Sequence, residues 1–222
     1  MNILQNKIKE VVDEGALYTN KNYLYVIEKR VFDIVISSIA LIVLFPLFIV
    51  ISFAIKVDSP GPAIFKQERM GFRGKIFNMY KFRTMVNNAE QLLEEVQQRN
   101  QMSGHMFKIK DDPRITKLGR VLRKTSIDEL PQLVNVIKGE MSLVGPRPPL
   151  IREVEKYDIW HHLRMSIKPG LTGIWQISGR NKLGFDGMIR LDLKYIRERN
   201  FWYDLKIIIK TMPVLLGDRN AF

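Results

Sequence analysis

Cysteine is absent from all 222 residues, which excludes disulfides and thiolate metal sites and leaves the compartment open. Histidine is scarce: His105, His161 and His162 are too few and too poorly spaced for an ordinary zinc site. The chain has no Gly-x-x-x-x-Gly-Lys-Ser/Thr loop, no Gly-x-Gly-x-x-Gly, no His-Glu-x-x-His and no Asp-x-Asp. P-loop, dinucleotide-fold and zincin chemistries therefore lack their usual residues, as does Asp-x-Asp metal binding. Low-complexity tracts and internal repeats are also missing, and 46% hydrophobic with 26% charged residues is a globular composition.

Charge itself runs out early in the chain. Between Asp33 and Lys56 lie 22 uncharged residues, IVISSIALIVLFPLFIVISFAI. At about 1.5 Å per residue, a helix of this length matches a bilayer core of roughly 30 Å. The run is too long for a signal-peptide core. A buried core helix is the other reading, although core helices seldom stay uncharged on every face. Pro46, near the middle, removes one helical hydrogen bond and predicts a kink. Lys21, Lys29 and Arg30 precede the run, and Lys56, Lys66, Arg69, Arg73 and Lys75 follow it. Basic flanks prefer the cytoplasmic side. A bent helix that enters and leaves on one face satisfies both flanks, whereas a kinked span places one of them badly.

What the chain has in excess is positive charge, formally +12. Such a balance favours an anionic partner, whether nucleic acid, anionic lipid or phosphorylated substrate. No nucleic-acid motif supports the first.

The expected fold class is α+β and mostly helical, with a proline-kinked re-entrant membrane helix joined to a membrane-interface domain of short strands and amphipathic helices. Residues 1–28 read as a polar, mixed-charge arm, 29–57 as the membrane helix and 58–222 as the remaining domain. Asp58-Ser59-Pro60-Gly61-Pro62 is a turn. Ala63–Phe65 and Ile76–Phe82 read as short strands around a turn at Gly71–Gly74. Residues 87–100 read as a polar helix, and Arg114–Lys124 as a basic helical stretch. A further helix ends at Gly139, with Leu130, Leu133, Val134 and Ile137 as its apolar face. Val144–Pro149 must be a rigid loop. Residues 150–166 and 185–200 look helical, with a glycine-rich loop at Lys168–Asn181 between them. From Phe201 a last amphipathic segment sets Lys206 and Lys210 among isoleucines, which fits a membrane interface or packing on the core.

Residues His105–Lys124 carry a net charge of +5, and Ser126-Ile127-Asp128-Glu129 follows directly. Ser-x-x-Glu reads most simply as a capping box. Pro131 weakens that reading, because it would sit inside the capped helix and disfavours helical geometry at Leu130. A helix starting nearer Asp128 leaves both carboxylates at its N-terminus, facing basic residues, which suits Mg²⁺ and phosphate. Arg147, between prolines, is a loop charge or a rigidly held phosphate ligand. Lys81 and Arg83 on a strand, and Arg180-Asn181 after Gly179, have similar double readings.

Six blocks, in order, resemble the bacterial sugar transferases, the monotopic polyprenyl-phosphate phosphoglycosyl transferases. They are Lys29-Arg30-Val31-Phe32-Asp33 ahead of the proline-broken run; Tyr80-Lys81-Phe82-Arg83-Thr84-Met85; Asp112-Pro113-Arg114-Ile115-Thr116; Ser126 to Gln132; Gly139 to Pro148; and Pro169-Gly170-Leu171-Thr172-Gly173 with Gly179-Arg180-Asn181. The resemblance implies an enzyme on the cytosolic face of the bacterial inner membrane with a re-entrant helix bent at Pro46. It implies transfer of a sugar 1-phosphate from a UDP-sugar to undecaprenyl phosphate, releasing UMP and initiating capsule, exopolysaccharide or O-antigen assembly. Asp128 is then the nucleophile, and Glu129 with Asp128 holds Mg²⁺. Lys81, Arg83, Arg123, Arg147, Arg180, Asn181 and Asp192 are the implied substrate contacts. Membrane lipids, downstream glycosyltransferases and a second copy of the chain are the implied partners. The segment Phe107–Pro113 looks more like members that transfer hexose phosphates. Such members often carry extra transmembrane helices in front. Here only about 28 residues precede the membrane helix, so the expectation is a catalytic core that works alone.

Overall fold

The computed structural model describes residues 2–14, 23–89, 91–92, 112–178 and 184–215. The uncharged run forms one helix, α2 (Tyr23–Asp58), continuous through Pro46. The core-helix reading fails on burial. Only 11% of the most apolar stretch is buried, and Ile42 is 75% and Phe53 70% exposed. An apolar surface of that extent belongs in lipid or against a partner, not in water.

The arm is more integrated than its composition promised. Residues Asn2–Glu14 form helix α1. Leu4, Ile8 and Val12, spaced four apart, recur on one face, and Ile8 and Val12 pack against Met70, Val154 and Met165.

After α2 come β1 (Ile64–Met70), a 3₁₀ turn at Phe72–Gly74, and β2 (Ile76–Phe82). β1 and β2 pair antiparallel with Ile64 opposite Phe82 and Met70 opposite Ile76. Of the expected polar helix, Asn87–Ala89 form a turn, and residues 93–100 lie outside the described set. Helix α3 (Lys117–Lys124) starts three residues later than expected, because Thr116 Oγ1 accepts from the Gly119 amide and caps it. Helix α4 (Gln132–Lys138) ends at Gly139 with φ 81°, a left-handed stop that glycine adopts cheaply. Its buried face is Gln132, Leu133, Asn135 and Val136 rather than the purely apolar stripe expected. Asn135 has a structural task there: its Oδ1 accepts from the Tyr80 amide and its Nδ2 donates to Asn78 O, pinning α4 to β2.

β3 (Ser142–Val144) pairs in parallel with β4 (Gly170–Thr172). The predicted glycine-rich loop is therefore partly strand, followed by helix α6 (Ile174–Ile177). The expected helix over 150–166 is broken into α5 (Ile151–Val154) and a 3₁₀ helix at Ile159–Ser166. Helices α7 (Phe185–Glu198) and α8 (Phe201–Leu215) close the fold.

The main core joins β2, α4, β3, α6, α7 and α8 through Phe77, Met79, Val136, Val144, Tyr195 and Ile207, with Leu41 and Leu44 of α2 packed against it. α2 is tied down at both ends. Near its start, Tyr25 Oη and Lys29 Nζ each lie 2.7 Å from Asp204 of α8. Arg30 donates to Val136 O and Ile137 O at the end of α4, and Asp33 accepts from the Leu143 amide. Near its other end, Ile51 and Ile55 pack on Phe82 and Leu122.

Candidate active site

The predicted capping box does not form. Ser126 sits at φ 54°, ψ 16°, with no side-chain cap bond. That left-handed conformation is costly for serine. It turns the chain sharply after α3 into a 3₁₀ turn, Ile127–Glu129, and Pro131 then starts α4 at φ −60°, the angle its ring prefers. The turn sets Asp128 inward, 8% exposed. Ile127 beside it packs in the cluster that holds Ile51 and Ile55 of α2. The carboxylate is thus one residue from the foot of the exposed apolar helix.

Burial pushes the Asp128 carboxyl up to about 6; the Lys81 and Arg123 charges oppose this and the Glu129 charge adds to it. Glu129 is freed from capping and meets Lys81, Nζ to Oε1 at 2.7 Å, across from β2. Arg123, on α3, donates Nε to Thr84 Oγ1 at 2.8 Å. Burial lowers its pKa, while the charges of Asp128, Asp112 and Glu129 raise it. Asp112 itself is closed in a bidentate pair with Arg114, at 2.9 and 2.6 Å.

Arg83 is engaged elsewhere. Its guanidinium donates to Ser59 O at 2.6 Å and Pro60 O at 2.7 Å and approaches Ile55 O, closing the carbonyl end of α2. Gly61 leaves room for it: a Cβ there, at φ 120°, would lie 2.1 Å from Arg83 Nη1.

The proline frame around Arg147 is held at successive backbone groups. The Gly145 amide donates to Thr172 O, Pro146 O accepts from the Gly170 amide, and Pro149 O accepts from the Met70 amide. Asp192 accepts from the Arg147 backbone amide and pairs with Arg164. Burial pushes Asp192 up to about 6, against the pull of Arg164. Asp192 is 1% exposed and positions the Arg147 loop from behind. The Arg147 guanidinium lies over the Trp175 ring, 5.4 Å from its centroid. Arg180 and Asn181 lie outside the described residues.

The sequence reading missed Arg69, which it counted only as a flanking charge. At the end of β1, Arg69 is 6% exposed. It donates to Gln67 Oε1 and to Pro148 O. Burial and the charge of Arg147 pull its pKa down to about 9, with Glu153 and Glu129 acting in the other direction; it remains cationic at neutral pH. Nothing local in the sequence distinguishes it from Lys66 or Arg73.

Among the described residues no group of three or more His, Asp or Glu side chains could hold a metal ion. Adjacent Asp128 and Glu129 still fit magnesium, which characteristically takes one or two protein carboxylates and completes its shell with water and substrate phosphate.

The galactosyl transferase CpsE of Streptococcus agalactiae serotype III is 51% identical over 90% of this chain. The undecaprenyl-phosphate galactose phosphotransferase of Salmonella typhimurium is 45% identical over 87%. This chain spans only 45% and 41% of those proteins' own lengths. The exopolysaccharide production protein ExoY of Sinorhizobium fredii is 41% identical over 88% of both chains. The family model for bacterial sugar transferases matches residues 24–218, which takes in α2, the Asp128 turn and the Arg147 loop, and the chain belongs to that family.

Proposed function

We propose that this chain transfers a hexose 1-phosphate from a UDP-sugar to undecaprenyl phosphate at the cytosolic face of the inner membrane, starting a glycan that downstream glycosyltransferases extend. The observation that carries this is a buried carboxylate, Asp128, in the field of Lys81 and Arg123 at the foot of a long, exposed apolar helix. A soluble and a lipid substrate meet at such a place. The relatives named for galactose transfer support the hexose.

The chemistry follows from the residues. Asp128 attacks the phosphorus bearing the sugar, the bond from that phosphorus to the nucleotide phosphate oxygen breaks, and UMP leaves. Lys81 and Arg123 offset the charge brought by the diphosphate. The lipid phosphate oxygen then attacks the aspartyl phosphate, the Asp128–phosphorus bond breaks, and the carboxylate is restored. Asp128 and Glu129 would hold Mg²⁺, which would supply charge neutralisation at the phosphates.

The ties of α2 support a re-entrant path. Tyr25, Lys29 and Arg30 at one end and Ile51 and Ile55 at the other all rest on the same domain. A straight crossing would carry one end away from it. Pro46 cannot bond to Ile42 O, which makes it the position for a bend. Single cysteines at Glu28 and Asp58 can be labelled without native background; an impermeant reagent that reached only one of them from outside intact cells would sink the hairpin.

For the reaction itself, radiolabelled UDP-sugar without lipid should leave label on the protein, and polyprenyl phosphate should chase it into lipid. Intersecting initial-rate lines with no trapped adduct would favour direct transfer between the substrates. A panel of UDP-sugars scored by UMP release tests the hexose assignment.

A further inference from the structure

Strand β2 runs past the candidate dyad with one edge paired to β1, which leaves the polar groups of its other edge to be met elsewhere. Asn135 of α4 meets them. Its Oδ1 accepts from the Tyr80 amide at 3.0 Å, and its Nδ2 donates to Asn78 O at 2.7 Å. One side-chain amide thus stands in for a third strand at two positions of the free edge. Asn135 is fully buried, where an apolar residue would pack at less desolvation cost. Its remaining groups are used as well. Nδ2 also donates to Glu140 Oε2 at 2.7 Å, and Asn135 O accepts from the Glu140 and Met141 amides. The residue after Tyr80 is Lys81, whose Nζ meets Glu129 Oε1 at 2.7 Å. The chain just beyond β2 is held independently, because Thr84 O accepts from the Thr116 amide and Thr84 Oγ1 from Arg123 Nε. A strand slipped by one residue would turn Lys81 to the opposite face.

We propose that Asn135 is a positioning residue for the dyad: it sets the register of β2 against α4, so that the Lys81 ammonium is held on Glu129. A single buried asparagine is a known way for a core to fix register. The consequence for chemistry rests on the transferase reading, in which Lys81 offsets the charge of the phosphates, but the contact between Lys81 and Glu129 does not. Electrostatic groups act on a reaction only when they are fixed in place beforehand. Thr84 keeps the end of the strand docked when Asn135 is lost, so the expected result is a loosened Lys81 in a folded protein.

The full chain in nanodiscs tests this in two arms. Without substrate, a water-soluble carbodiimide activates the Glu129 carboxyl, the Lys81 amine displaces the urea, and the resulting amide is counted by peptide mass spectrometry. Asn135→Ala should lower that yield at least about fivefold, while the Lys29–Asp204 pair, also 2.7 Å apart, keeps its own. With a UDP-sugar and lipid acceptor, kcat should fall roughly 10- to 100-fold and KM for the UDP-sugar stay within about threefold. In a Lys81→Met background the same substitution should cost less than about threefold in kcat. An undiminished penalty there would make Asn135 merely a core residue and overturn the inference. A cross-link yield within about twofold of the parent, or a lost cross-link with normal turnover, overturns it too. Should the alanine variant fail to fold, Asn135→Asp with Glu140→Gln carries the same thresholds. That pair keeps the acceptor for the Tyr80 amide, avoids two facing carboxylates and loses only the bond to Asn78 O. The two readings fail separately. Absence of UMP release from the parent with any UDP-sugar sinks the transferase and leaves the cross-link to decide the register, whereas an unchanged cross-link in an active Asn135→Ala variant sinks the positioning role alone.

Discussion

Two buried arginines divide this molecule into scaffold and site. Arg164 is sealed against Asp192 and Tyr157, and Arg69, almost equally buried, faces amide and carbonyl oxygens with a second cation nearby. Two aspartates repeat the contrast. Burial pushes both Asp192 and Asp128 up to about 6, but Asp192 has a guanidinium in contact and Asp128 feels its cations from a distance. Burial therefore does not separate structural from functional charge; the presence of a matched partner does. Where charge is matched, removing one member should damage the fold. Where it is left unmatched, removal should relieve the fold and damage the chemistry.

The largest expected effect is on turnover. Asp128→Asn should reduce kcat by about three orders of magnitude or more, since a neutral amide is a poor nucleophile. The same variant should be more stable than the parent at pH 7–8. The sign follows from the raised value: the folded state holds the Asp128 proton more tightly than the unfolded chain does. That contribution is present in full below the unfolded value near 4 and is lost as pH rises through about 6. Asparagine removes a cost of about 2–3 kcal/mol at neutral pH, and chemical denaturation at pH 4 and pH 8 should show the gain only at the higher pH. Equal stability of the two proteins at pH 8 would break the contrast between the aspartates.

Asp192→Asn should do the reverse, destabilising by about 3–5 kcal/mol because Arg164 is left buried and uncompensated. The direct contact decides the sign here: burial lowers the Arg164 pKa, but Tyr157 and Asp192 raise it above its ordinary value, so Asp192 holds that charge in place. Replacing both, Asp192→Leu with Arg164→Met, should recover much of that loss in the same denaturation measurement. A single Asp192 variant as stable as the parent would show that the pair is not scaffold.

Smaller again is the pH dependence of turnover. With Asp128 active as the carboxylate, kcat/KM should rise with pH through an acidic limb near 6 in the free enzyme. Lys81→Met removes the largest opposing charge and should move that limb upward; a limb that stays put would detach Lys81 from Asp128. The smallest effect concerns Ser126. Ser126→Gly relieves the left-handed strain, and should stabilise by about 1 kcal/mol or less, because glycine also gains freedom in the unfolded chain. A thermal melt checks it, and marked destabilisation would mean that the serine side chain has a role beyond the turn.

Much of this architecture was legible beforehand. The uncharged run, the β1–β2 hairpin, the stop at Gly139 and the helices α7 and α8 are local signals of periodicity, turn chemistry and length. The packing of the arm was not legible because Leu4, Ile8 and Val12 are few, and their value as a core face appears only when Met70, Val154 and Met165 arrive from elsewhere. The parallel β3–β4 pair was hidden inside glycine- and proline-rich text. Its strands have three residues each and are made by contact with each other. The basic residues before the uncharged run read as a topology signal, but within α2 Lys29 and Arg30 are committed to Asp204 and to the end of α4.

By itself, the sequence determined the long apolar helix, the absence of thiol chemistry, and the adjacency of Asp128 and Glu129, because each depends on composition or on neighbours along the chain. Only the tertiary structure decided which charges are matched. Arg69 and Asp128 meet their surroundings across long stretches of chain, and the cost of a buried charge is set by the dielectric and the partners that folding places around it.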